Sequence, residues 1–283
     1  MKATAHIKQI NLPAGELVPQ FGMGTWHLGE NPATRKEETA MLRLGLDLGA
    51  TLIDTAEMYG DGRAEELVGE AIEGRRDEVF LVTKILPENA SRRNTPLSCE
   101  ASLRRLGTDR IDLYLLHWRG SIPLAETMEA FMDLQQAGMI RYYGVSNFDV
   151  SDMQELWEVP GGRETQTNQV LYNLEHRGIE WDLLPWLRER GIPIMAYSPV
   201  GHAELVNDPK LTSFARRHRM TPAQVALAWL LAKPDVMVIP KTSRRERLKE
   251  NLGALNHWLT EAQLAELDGL FPPPDGPRPL EML

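Results

Sequence analysis

The sequence predicts an α/β fold: a closed (β/α)₈ TIM barrel with an N-terminal β-hairpin and an extra C-terminal helix and tail. Three observations point there. Eight short apolar runs alternate with longer segments of helical period. Their connections are short, which favours parallel strands joined by right-handed crossovers. Finally, the apolar runs 51–54, 79–84 and 111–117 end on Asp54, Lys84 and His117, with Tyr59 just past the first. A core strand has no use for a charged or imidazole terminus, but in a parallel barrel those ends converge on the rim where such folds do chemistry. A length of 283 residues suits one barrel, so residues 1–283 are expected to form a single domain.

Taken in order, residues 6–10, a Pro13-Ala-Gly15 turn and residues 16–18 predict the hairpin. The barrel strands are expected at 21–26, 51–54, 79–84, 111–117, 140–146, 167–171, 192–198 and 236–241. A helix is expected over 33–48, with apolar spacing at Met41, Leu44, Leu46 and Leu48 and Gly49 as its C′ residue. Ser121-Ile-Pro123 opens another, which stops at Gly138. Thr221-Pro-Ala-Gln224 reads as a capping box with proline at the first helical position, and Thr260-Glu-Ala-Gln263 caps a helix near the end. The helix after the eighth strand is expected over 243–252. The proline-rich stretch 271–279 can be neither helix nor central strand and is expected to lie over the surface, across the rim.

Composition narrows the function. A hydrophobic content of 42% with 25% charged residues suits a soluble protein with a large core. A net charge of −9 argues against nucleic-acid or anionic-membrane partners, and only residues 241–249 offer a local basic patch. Cys99 is the sole cysteine, so neither an internal disulfide nor a multi-thiolate zinc site is available, and no metal is expected. The first eight residues lack the apolar stretch of a secretory signal, and no apolar run nears the ~18 residues of a membrane span, so a cytoplasmic location is expected. No strand is followed by Gly-x-Gly-x-x-Gly and no Walker-type loop occurs; Gly22-Met-Gly24 is half of the former.

The four polar residues suit carbonyl reduction. A free tyrosine, with a pKa of about 10, is a reluctant acid at pH 7. A cation within ~4–6 Å would lower it, and Lys84 is the candidate. Asp54 would pair with Lys84, and His117 would donate to the substrate oxygen. Each residue also has a plainer reading: Asp54 as a cap, Tyr59 as a loop aromatic, Lys84 as a surface strand end, His117 as a hydrogen-bonded core histidine. Their joint occurrence on adjacent strand ends favours the chemical reading.

These residues resemble the aldo-keto reductase family. Gly49-Ala-Thr-Leu-Ile-Asp54-Thr-Ala-Glu-Met-Tyr59 is similar to its first signature. Ser102 to Asp109 followed by Asp112-Leu-Tyr-Leu-Leu-His117-Trp118 resembles the second, and Ile239-Pro-Lys241 through Asn251 the third. The resemblance implies an NADPH (NADP⁺) cofactor and Asp54, Tyr59, Lys84 and His117 as catalytic tetrad, with Tyr59 as proton donor. It implies that Ser146, Asn147 and Gln169 hold the nicotinamide carboxamide and that Tyr197 stacks on its ring. Lys241, Thr242, Ser243 and Arg247 would grip the adenosine 2′-phosphate, and Glu250 and Asn251 the adenine. Gly24, Thr25, Trp26, Asp54, Ser198, Val200 and Ile239 complete the implied cofactor contacts. A phosphate also suits Lys241 and Arg247 on physical grounds, since they sit at a strand end and a helix's first turn.

Trp26, Met58 and Trp118 are expected to line the substrate mouth beside Tyr59 and His117. The connection over 200–208 is too short for the long belt that closes over cofactor in some members. The segments around Asp54–Glu66 and 153–162 look like bacterial reductases of methylglyoxal and similar 2-oxoaldehydes. The expectation is therefore reduction of reactive aldehydes by a monomer acting on a small carbonyl substrate. The alternatives are the same chemistry on a sugar, a pyridoxal or a small ketone, or a nucleotide-sensing subunit with little turnover.

Overall fold

A computed structural model of the chain describes residues 6–201 and 203–283. Residues 1–5, part of the N-terminal stretch read for a secretory signal, and His202 in the 200–208 connection lie outside the described residues. The first elements are an antiparallel pair, β1 (Gln9–Asn11) and β2 (Leu17–Pro19), with Ile10 opposite Val18. Both strands begin later than their alternation predicts. The turn closes on Leu12, whose carbonyl accepts from Gly15 at 2.8 Å and whose N–H donates to Glu16 at 2.9 Å.

Eight parallel strands follow: β3 (Gly22–Gly24), β4 (Leu52–Asp54), β5 (Phe80–Ile85), β6 (Ile111–Leu116), β7 (Ile140–Ser146), β8 (Asn168–Leu171), β9 (Ile194–Tyr197) and β10 (Val236–Val238). Each pairs with its neighbour in sequence. Parallel bridges from Phe21 to Val238 and from Gly24 to Lys241 join the first strand to the last. That closure needs glycine at position 24, because a Cβ there would sit 2.8 Å from the Ile239 carbonyl oxygen. The helices are α1 (Arg35–Asp47), α2 (Arg63–Ile72), α3 (Asn94–Leu106), α4 (Leu124–Gln136), α5 (Val150–Glu158), α6 (Leu183–Arg188), α7 (Ala203–Asn207), α8 (Pro209–Arg217), α9 (Pro222–Leu231), α10 (Arg245–Gly253) and α11 (Glu261–Leu270). None of the described helices is long and apolar enough to cross a membrane.

Thr221–Gln224 and Thr260–Gln263 form the expected reciprocal capping boxes on α9 and α11. A third box, Asp149–Asp152, starts α5. The buried face of α1 is set by Met41, Leu42, Gly45 and Leu46, whereas Leu44 and Leu48 are only half-buried. Gly45 shifts that stripe because the helix packs there directly on the Met23 side chain.

The core has two layers, and the period-two alternation of each strand decides which residue enters which. Leu52, Phe80, Val82, Leu113, Leu115 and Met195 fill the barrel interior, whose base is plugged by Ile10, Leu12 and Val18 of the hairpin region. Ile53, Leu81, Ile85, Val170 and Ala196 point outward beneath the helices. Continuing the inward set by two residues leads from Leu52 to Asp54, from Val82 to Lys84, from Leu115 to His117 and from Met195 to Tyr197. The fold thereby brings these four side chains to one mouth.

Candidate active site

Asp54 is the last residue of β4, and Lys84 lies near the end of β5 with its side chain fully buried. His117 follows β6 directly and donates its N–H to the Ile85 carbonyl at 3.0 Å. Tyr59 is held in the loop after β4, where its N–H donates to the Ala56 carbonyl at 3.1 Å. Lys84 Nζ donates to Asp54 Oδ2 at 2.9 Å, to the Thr55 carbonyl at 2.8 Å and to Tyr59 Oη at 3.1 Å. All three ammonium protons thus have acceptors, which offsets the cost of burying the charge. The His117 ring meets Tyr59 edge-on, with centroids 5.8 Å apart.

Burial is the largest single influence on each of these groups. It pushes the Asp54 carboxyl up, opposed by Lys84 and by the Gln169 amide. Lys84 ends above its ordinary value, because Asp54 and Tyr59 outweigh its desolvation. The Tyr59 phenol is raised: desolvation exceeds the lowering effect of Lys84, and Asp54 adds to the rise. The expectation that Lys84 makes the resting phenol more acidic than usual is therefore corrected. Lys84 only limits a rise that burial imposes. Burial, with the Lys84 charge, lowers His117 to about 2, so its imidazole is neutral. Its Nδ1 is buried with no hydrogen-bond partner among the described residues. A proton on Nδ1 would be a wasted buried donor, which favours the tautomer carrying it on Nε2.

Above the tetrad opens a cavity of about 560 Å³. Most residues expected on cofactor or substrate line it. Gly24, Thr25 and Trp26 form one edge; Ser146, Asn147, Gln169 and Tyr197 the floor beside the tetrad. Ile239 and Lys241 lie beside Gly24 at the barrel closure, and Ser198, Val200, Met58 and Trp118 also line the cavity. The floor is already internally bonded. Gln169 Nε2 donates to Asp54 Oδ1 at 2.7 Å, Asn147 Nδ2 to the His117 carbonyl at 3.1 Å, and Tyr197 Oη to Asn147 Oδ1 at 2.9 Å. Ser146 Oγ donates to the Gln169 carbonyl at 2.9 Å. The Gln169–Asp54 bond joins residues 115 apart in sequence, and no local signal reveals it.

Thr242, Ser243, Arg247, Glu250 and Asn251 fall outside the cavity lining, just before α10 or within it. Thr242 and Asn251 are buried there; Ser243 and Arg247 are exposed. The N-terminus of α10 has no side-chain cap. The side chains of Arg244, Arg245 and Arg247 there, and of Lys249 in mid-helix, are exposed, and none is engaged in an ion pair among the described residues. In an acidic protein, exposed cations beside the N–H groups of a helix start give a locally positive potential.

Sequence reasoning missed His27, Pro199, Gly201, Met282 and Leu283, all of which line the cavity. His27 is adjacent to an expected site residue and was within reach of proximity alone. The tail positions have no such signal. They arrive because the segment after the proline run crosses the rim, with Glu281 3.1 Å from His176 and the Leu283 backbone bonded to Tyr197.

A sequence model described as the aldo/keto reductase family matches residues 20–271. The chain is 48% identical over 281 residues to methylglyoxal reductase YeaE of Escherichia coli K12, covering 98% of this chain and 99% of that protein. It is 33% identical over 247 residues to methylglyoxal reductase DkgB of Escherichia coli O157:H7, covering 84% and 88%. Among solved structures, it is similar to an aldo/keto reductase from Klebsiella pneumoniae in complex with NADP and acetate. That likeness has a TM-score of 0.95 at 47% identity and covers 98% of this chain and 100% of the other.

Proposed function

Because this chain belongs to the aldo/keto reductase family, we propose that it reduces 2-oxoaldehydes such as methylglyoxal, and other reactive aldehydes, with NADPH and with Tyr59 as proton donor. One observation carries the reading: Lys84 Nζ reaches both Asp54 and Tyr59 at the buried end of a cavity that His117 also lines. The names of two relatives support the substrate, and the NADP complex of the Klebsiella protein supports the cofactor. An apolar mouth of Trp26, Met58 and Trp118 suits uncharged carbonyls.

The chain's own groups fit such a cofactor. Ser146, Asn147 and Gln169 offer amide and hydroxyl groups for the carboxamide, and Tyr197 an aromatic face for the ring. The cations at the start of α10, with Lys241, Thr242 and Ser243, suit the 2′-phosphate, and Glu250 and Asn251 the adenine. When bound, NADPH supplies a hydride to the carbonyl carbon. Tyr59 gives its proton to the carbonyl oxygen as negative charge develops there, and Lys84 stabilises the phenolate left behind. Asp54 holds the ammonium, and Gln169 holds Asp54. Neutral His117 donates from Nε2 to the same oxygen and sets its direction.

The test is steady-state NADPH oxidation with a panel of aldehydes, in which methylglyoxal is expected to be turned over. Saturable NADPH binding with no oxidation by any carbonyl would instead support a sensing role. Two further results are expected. With His117 near 2 and Tyr59 raised, both stay in their working forms from pH 5 to 9, and the donor is lost only as pH climbs through the raised phenol value. A protonation limb near pH 6.5 in kcat that persists in His-free variants of the other cavity positions would contradict this assignment. Arg247→Ala is expected to weaken NADPH by about tenfold to a hundredfold, the ~1.5–3 kcal/mol of a charge-assisted bond, with NADH nearly unchanged. An unaltered ratio of the two dissociation constants would reject the phosphate contact.

A further inference from the structure

Glu57 lies two residues before Tyr59 and outside the cavity lining. Its backbone N–H donates to the Lys84 carbonyl at 3.3 Å, so the chain is still tied to β5 after β4 has ended. Its side chain makes the firmer attachment. Oε1 accepts from the Leu86 N–H at 2.7 Å and from Asn89 Nδ2 at 3.0 Å. The β4–β5 ladder stops at Asp54 and Val82, and beyond it this oxygen receives an N–H that a further strand residue would otherwise take. The segment that Glu57 grips is central to the tetrad. Of three consecutive residues, the Lys84 side chain reaches Tyr59 Oη, the Ile85 carbonyl accepts from the His117 N–H, and the Leu86 N–H meets Glu57. Pro87, next in the chain, packs closely on Gly120 of the loop after β6.

We propose that Glu57 is a positioning residue for proton transfer: it fixes the turn that carries Tyr59 against the end of β5, and so sets the phenol oxygen relative to Lys84 and the carbonyl being reduced. The proposal rests on the reductase reading of the cavity. Tyr59 needs such an anchor because no strand sets its place. Asp54 and Lys84 belong to β4 and β5, and His117 follows β6 directly, whereas Tyr59 rides on a turn. Met58 beside it is exposed, and the chain leaves through Gly60 and Asp61 with left-handed φ of 57° and 53°. Tyr59 is bonded to Ala56 within the turn and to Ala64 of α2, at 3.1 and 3.3 Å, but neither bond reaches β5. Among the described residues, the hydrogen bonds from residues 56–60 to β5 and the segment after it are those of Glu57 and of the phenol itself. Displacing a reacting group by about 1 Å costs about a hundredfold in rate, so a bond this far from the carbonyl governs turnover. What the role requires is an acceptor oxygen with the right reach.

Reach and charge are separated by three variants assayed with NADPH and methylglyoxal. Glu57→Gln keeps an Oε1 acceptor at the same distance and is expected to hold kcat within about threefold of wild type. Glu57→Asp keeps the carboxylate but draws it back by one methylene, and Glu57→Ala removes it. Both are expected to lower kcat about tenfold to a hundredfold, with KM and the NADPH dissociation constant within about twofold. The contrast between aspartate and glutamine decides the question by itself should the alanine variant fail to fold. A further comparison isolates Tyr59. In a Tyr59→Phe background, Glu57→Asp is expected to cost less than about twofold in single-turnover rate, because the group it aims is gone. An aspartate variant as active as wild type, or a glutamine variant as poor as alanine, would overturn the proposal. So would an equal loss in both backgrounds, or a loss in KM or cofactor binding rather than kcat. A wild-type protein that binds NADPH but turns over no carbonyl would instead reject the reductase reading beneath it.

Discussion

Tyr59→Phe is expected to lower kcat by about a thousandfold or more while leaving the NADPH dissociation constant within about twofold of wild type. The change removes one oxygen, the one 3.1 Å from Lys84 Nζ, and keeps the ring that packs beside His117. With the phenol gone, the nearest group able to give a proton to the carbonyl oxygen is His117. Its pKa near 2 keeps it neutral, and giving up the Nε2 proton would leave an imidazolate. It can orient the carbonyl but is a poor acid. Cofactor contacts are unchanged, because none of the residues assigned to the cofactor depends on the Tyr59 hydroxyl. Single-turnover rates beside equilibrium titrations measure the two quantities separately. A parallel loss of binding and turnover would mean that the hydroxyl organises the cofactor site rather than the proton transfer.

The second large effect is expected at Lys84. Lys84→Met deletes three hydrogen bonds and leaves the Asp54 carboxylate buried, with Gln169 as its remaining side-chain donor. An uncompensated buried charge of this kind costs about 3–5 kcal/mol, and the rate should fall with it by about a hundredfold or more. The loss has a defined pH dependence. Burial already raises the Asp54 pKa, and removing the ammonium deletes the main opposing influence. A folded-state pKa above the unfolded value means the protonated form is favoured on folding. The variant should therefore be nearest to wild-type stability at low pH and lose ground as pH rises through the raised value. Pairing it with Asp54→Asn should restore most of the stability without restoring turnover. Urea melts at pH 5 and pH 8 on the single and double variants test this; a double variant no more stable than Lys84→Met at pH 8 would show that the pair is not what the lysine stabilises.

Local sequence was sufficient for much of the architecture. Capping boxes at Thr221 and Thr260 lie where their four-residue patterns place them, because a cap involves only atoms one helical turn apart. The eight strands follow from alternation of the kind that puts Val82 inside, Thr83 outside and Lys84 inside again. The hairpin strands were offset because turn geometry around Leu12 and Gly15, not the apolar pattern, sets where pairing starts.

The order of strands and helices, and the four polar side chains at or just past the strand ends, were decided by the sequence itself, since both depend on patterns spanning a few residues. The direction of the Tyr59 shift, the grip of Gln169 on Asp54 and the arrival of His27, Met282 and Leu283 at one cavity were decided only by tertiary structure. Desolvation and long-range contact exist only once the first strand has met the last and the ring has shut out water, and no short stretch of chain encodes either one.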